Sequence, residues 1–112
     1  MKKLEPNPTN GCFGCGGANS HGMKLTFEQD DEKRRIIGRC RLAATYQGSA
    51  GYLHGGIIAL LLDEVMGKVN RFSNARAVTA ELSVEYLKPI HVDQEILIEG
   101  HEVERNGRNL FH

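Results

Sequence analysis

One stretch constrains the chain more than any other: "GYLHGGIIALLLDEVMG", Gly51 to Gly67. Six consecutive apolar residues, Ile57 to Leu62, lead into two acids, Asp63 and Glu64. The spacing predicts a helix over about 53–69. A helix apolar on nearly every side must be buried. The chain has 112 residues, enough for one domain with a modest core. One sheet covers only one side of such a helix. Either the sheet curls strongly around it, or a second copy of the chain covers the rest.

The remaining elements supply that sheet. Residues 1–22, rich in Pro, Asn and Gly, read as an irregular N-terminal arm, and 23–112 as the domain proper. Met23–Glu28 alternates and reads as a strand. Arg35–Leu42 reads as a second, with Ile36, Gly38, Cys40 and Leu42 on one face. "ARAVTAELSVEYLKPI" predicts a long strand. Val78, Ala80, Leu82, Val84 and Tyr86 line one of its faces, and Thr79, Glu81, Ser83 and Glu85 the other. Pro89 ends it. "QEILIEGHEVE" is the next strand, and Asn106-Gly107 is the strongest hairpin signal. The strand after that turn, "RNLFH", is shorter than its mate, so the expectation is that a last strand or two is missing. The fold class is α+β: a curved, mostly antiparallel sheet around one long helix.

Charge and composition narrow the partners. Fourteen basic and fourteen acidic residues cancel, so nothing electrostatic points to nucleic acid. The opening "MKKLEPNPTN" has no apolar run behind its lysines, and the longest apolar run is far short of a membrane span. Three cysteines with no disulfide framework suit a reducing cytoplasm. Cys12 and Cys15 have C-x2-C spacing, and His21 and Cys40 could complete a tetrahedral set. There is no second close pair, however, and Cys40 faces the core, so the expectation is no metal. No nucleotide fingerprint or serine elbow is present.

Three segments carry a family resemblance: "HGGIIALLLDE", the upstream "CFGCGGANSHGMKLTFE" and the downstream "TAELSVEYLKPI". Together they resemble the acyl-CoA thioesterases of the phenylacetic-acid-degradation (PaaI-like) type, within the hotdog superfamily. The resemblance runs from about Cys12 to His112. It implies the hotdog fold, a homodimer or homotetramer, and hydrolysis of an acyl-CoA thioester to free acid and CoA. No separate cofactor is implied, because CoA is part of the substrate. Asp63 would be the catalytic carboxylate, as general base on water or as nucleophile through an anhydride. His54 matches the family histidine, which orients the thioester or bonds the loop. Thr79 matches a Ser/Thr that holds water or substrate near the acid. On the polar face of its strand it would reach a ligand only at a subunit boundary. Some relatives polarise the carbonyl with an upstream Asn or Gln. Gln47 is the nearest counterpart, and Gly48 departs from the pattern where relatives have Asn.

The residues support these roles physically. A helix start offers unpaired N–H groups and partial positive charge, and Gly55 and Gly56 leave them open to a thioester oxyanion. Glycines there also suit a plain tight turn. Glu64 stands four residues before Lys68, an order that suits a surface ion pair, whereas Asp63 has no such partner. Asp63 lies roughly 12 Å along the axis from Gly55 at the standard rise, too far to serve the same carbonyl. The resemblance implies how this is resolved: in hotdog dimers of this type the helix start of one subunit faces the mid-helix acid of the other, giving composite sites across a two-fold axis. Arg71, Arg76, Lys88 and Arg108 are candidates for the CoA phosphates. Two alternatives stand beside this reading. One is a hydratase or dehydratase, whose Asp/His motif is not found. The other is a non-catalytic hotdog module that binds acyl-CoA or only assembles.

Overall fold

The computed structural model describes all residues from Met1 to His112. Its sheet has four antiparallel strands in the order β1-β2-β3-β4: β1 Lys2–Leu4, β2 Phe27–Asp30, β3 Arg35–Arg41 and β4 Glu95–His101. The helix α1, Gly55–Val69, packs on β3 and β4. A second, two-stranded sheet joins β5, Glu104–Asn106, to β6, Asn109–Phe111.

The helix begins at Gly55, two residues later than its apolar pattern suggests, because Leu53 belongs to the loop core. Its buried stripe is Leu61, Val65 and Val69, spaced four apart so that one face meets the sheet. Phe27, Ile36, Leu42, Leu53 and Ile98 complete the core with Leu25. Gly100 of β4 lets the helix come close: a Cβ there would stand 3.2 Å from Val69 and 3.3 Å from Val65. Ile57, Ile58, Leu60, Leu62 and Met66 remain only half-buried. One sheet covers one side of the helix, and the other side stays partly open.

Gly38 performs the same service in the sheet. A Cβ there would lie 2.9 Å from the Phe27 ring, which is itself fixed in the core at 2 % exposure. We expect Gly38→Val to lower unfolding stability by about 1–3 kcal/mol through overpacking. Urea unfolding monitored by circular dichroism measures it, and an unchanged midpoint would refute the packing.

Four expectations need correction. Residues 1–22 are not irregular throughout: Lys2–Leu4 pairs with Phe27–Gln29 as an edge strand. The predicted strand at Met23–Glu28 starts only at Phe27. Lys24 adopts a left-handed φ of 51°, and the Met23 and Leu25 N–H groups bond to the arm carbonyls of Phe13 and Gly14. The long strand predicted after Asn74 forms no ladder. Its apolar face is not buried in this chain: Val78 is 92 % exposed and Tyr86 54 %. Alternation makes a segment extended, but a ladder also needs a neighbour, and this segment lies against α1 instead of beside a strand. The strand "QEILIEGHEVE" breaks after His101, with β5 resuming at Glu104. The hairpin forms as expected. Asn106 pairs with Asn109, and Gly107 opens the two-residue loop at φ 61°.

An acid–base pair secures the β2–β3 turn. Asp30 accepts from the Lys33 N–H at 3.1 Å and from Arg35 Nε at 2.9 Å. These two contacts hold its carboxyl below the usual carboxylate range.

Candidate active site

His54 precedes the helix in an extended conformation and caps it. Its Nδ1 accepts from the Gly56 N–H at 2.8 Å, which places any proton of the neutral ring on Nε2. Gly56 is thus a capped position, not a free donor. A Cβ on it would meet His54 Nδ1 at 3.1 Å, so the glycine keeps the cap in place. The Gly55 N–H has no acceptor within the chain. It is the donor at this helix start open to a ligand, at the positive end of the helix dipole.

Tyr86 completes this end. Its hydroxyl donates to the Gly55 carbonyl at 2.8 Å, and its ring edge lies near the Gly55 Cα. Alternation in the sequence places Tyr86 on an apolar strand face and does not reveal this contact. The Tyr-x-x-Pro pattern it belongs to was the available signal. A cavity of about 320 Å³ opens beside His54, Gly56 and Gln47. Gln47 Oε1 accepts from the Gly51 N–H at 3.1 Å and shapes the loop that leads to the cap.

Asp63 opens on a different space. A cavity of about 370 Å³ is bounded by Asp63, Met66 and Gly67 of the helix, by the extended segment around Thr79, and by the end of the second sheet. Thr79 Oγ1 donates to Asp63 Oδ1 at 2.5 Å. Asp63 therefore does have a partner, contrary to expectation, and Thr79 reaches it within one chain. The contact spans sixteen residues because the extended segment runs back along the exposed flank of α1. The bond fixes one carboxylate oxygen and leaves Oδ2 free to take a proton. Helix start and mid-helix acid thus line separate cavities, as their spacing along the axis requires.

Glu64 also differs from expectation. It makes no ion pair with Lys68, whose ammonium lies 6.0 Å from the Phe27 ring centroid. Glu64 turns to the N-terminal arm, where Cys12 Sγ stands 3.8 Å from its Oε1. Burial, the Cys12 hydrogen bond and the Glu64 charge push the Cys15 thiol up to about 11. Burial raises Cys40 as well. Neither thiol is an activated nucleophile. No helix is long and apolar enough to cross a membrane.

The chain is similar to several known proteins. The family model described as the thioesterase superfamily matches residues 50–111. Acyl-coenzyme A thioesterase THEM4 of Mus musculus is 35% identical over 90 residues, and that of Rattus norvegicus 29% over 90. Each alignment covers 80% of this chain and 39% of the relative, so the chain spans about two fifths of their length. A thioesterase superfamily protein of known crystal structure superposes with a TM-score of 0.81 at 29% identity, over 89% of this chain and 49% of the other. One central helix against an antiparallel sheet, matched at that level, is the hotdog fold, and the chain belongs to the thioesterase superfamily.

Proposed function

We propose that the chain hydrolyses an acyl-CoA thioester to free acid and CoA, at composite sites formed between two copies. The observation that carries this reading is the Thr79–Asp63 hydrogen bond at the wall of a cavity, which orients a carboxylate with one oxygen free. In the general-base form, Asp63 Oδ2 takes a proton from water as the water oxygen bonds to the thioester carbon. The carbonyl oxygen becomes an oxyanion and is met by the N–H of Gly55 of the partner subunit. Collapse breaks the C–S bond, and the sulfur leaves with the proton held on Asp63. In the nucleophilic form, Asp63 attacks the carbon itself, CoA leaves, and water opens the anhydride. Both forms use the same residues, and neither needs a cofactor.

His54 Nε2–H and the Gln47 amide border the helix-start cavity and are assigned to orienting the thioester there. Gly56 contributes by admitting the His54 cap. The arrangement needs a homodimer, alone or as half of a tetramer, and its surface fits one. Val78 and Leu87 are exposed, and one flank of α1 is half-covered. Three free cysteines suit a reducing cytoplasmic setting. Steady release of free thiol from a panel of acyl-CoAs tests the reading. Tight acyl-CoA binding without turnover would favour a non-catalytic hotdog module.

A further inference from the structure

We propose that Cys12, Cys15 and Glu64 form a zinc-binding site that fastens the N-terminal arm to the middle of α1. This replaces the expectation of no metal, and neither His21 nor Cys40 takes part. The two thiol sulfurs and one Glu64 carboxylate oxygen all lie within 4.8 Å of one another. A tetrahedral zinc with bonds of about 2.0–2.3 Å sets its donors roughly 3.5–3.8 Å apart. The cluster needs only a small contraction to reach that, and Cys12 Sγ and Glu64 Oε1 already stand at 3.8 Å.

The site is built from two directions. The arm loop is held by backbone bonds that involve no side chain of the cluster. Gly16 N–H donates to the Cys12 carbonyl at 2.9 Å, and the Phe13 and Gly14 carbonyls accept from Met23 and Leu25. Two glycines make room. A Cβ on Gly14 would fall 2.5 Å from the Glu64 carboxylate carbon, and one on Gly16 would fall 2.2 Å from the Asn10 carbonyl oxygen. From the other side, α1 presents Glu64 half-buried and in no ion pair. That carboxylate has only the weak Cys12 thiol as a hydrogen-bond donor, at 3.8 Å, and can share a cation with the two sulfurs beside it. Thiolate pairs at C-x2-C spacing favour zinc over hard cations such as magnesium or calcium. Three protein donors leave a fourth position for water. Asp63 lines a cavity that Glu64, Cys12 and Cys15 do not border, so the ion acts by holding the arm, and the hydrolytic reaction does not pass through it.

The test uses the full chain, reduced and stripped of metal, with cobalt(II) as the spectroscopic probe and zinc(II) as its competitor. Expected are one cobalt per chain, a sulfur-to-metal charge-transfer band, the intense visible bands of tetrahedral cobalt, and loss of all of them on adding zinc. Cys12→Ser and Cys15→Ser should abolish the charge-transfer spectrum of the native set. Glu64→Gln should weaken binding at least about tenfold, since even outer-shell partners are worth ten- to a hundred-fold. Cys40→Ser should bind as wild type. Mass-spectrometric alkylation of the unaltered protein gives a second readout that does not depend on variants folding. Zinc should protect Cys12 and Cys15 and leave the labelling of Cys40 unchanged. Only the weak spectrum of octahedral cobalt, a Cys12–Cys15 disulfide that persists under reductant, or equal labelling of all three cysteines with and without zinc would overturn the site.

Discussion

Asp63→Asn is expected to lower the rate of acyl-CoA hydrolysis on the order of a hundred-fold or more, with circular dichroism and melting temperature little changed. The substitution is nearly isosteric. The asparagine carbonyl can still accept the Thr79 hydroxyl that bonds to Oδ1 in the native chain. What is lost is the oxygen that, in the proposed reaction, takes a proton or attacks carbon. Thr79→Val separates orientation from chemistry: the carboxylate stays but its anchor goes, so the loss should be smaller than in Asp63→Asn. Glu32→Gln, in the exposed turn after β2, should match wild type. Release of free thiol from acyl-CoA reads all three, and full activity in Asp63→Asn would remove Asp63 from the chemistry.

Much of this arrangement was legible in the residues. The apolar run over 57–62 specified a helix, and the alternation of Arg35–Leu42 specified β3 with its buried face. The family motif singled out Asp63, and the helical rise separated it from Gly55. Other features depend on contacts between residues far apart in sequence. The segment around Thr79 has a strand pattern, yet periodicity does not say whether a neighbour lies within hydrogen-bonding reach. Its two anchors to α1, Thr79 on Asp63 and Tyr86 on Gly55, span sixteen and thirty-one residues. Glu64 had a nearby lysine four residues on, the pairing that local spacing favours, but tertiary packing turned it to the cysteines of the arm. Residues 2–4 were hidden for a different reason: a three-residue edge strand is too short to display a period. The cap at Gly56 was invisible because it depends on the direction in which His54 turns its ring.

Gly55→Pro carries the second large effect. Gly55 is the first residue of α1, where proline is well tolerated because that N–H is not needed by the helix. His54 already has the extended backbone that a following proline requires, at φ −61° and ψ 134°. A Cβ at Gly55 would meet only the Tyr86 ring, at an ordinary 3.6 Å. The variant should therefore fold, lose the one open donor, and lose turnover by about a hundred- to a thousand-fold, the range for removing an oxyanion donor.

The central claim is that each site takes its donor from one chain and its acid from another. Mixing tests it most directly. Asp63→Ala and Gly55→Pro homodimers should each be inactive in the thiol-release assay. After dissociation and reassociation together, each heterodimer holds one site with both parts intact and one with neither. Activity should return to about half of the wild-type value per heterodimer. No recovery from heterodimers that circular dichroism shows to be folded would mean that Gly55 and Asp63 of a single chain build the site, and would contradict the account.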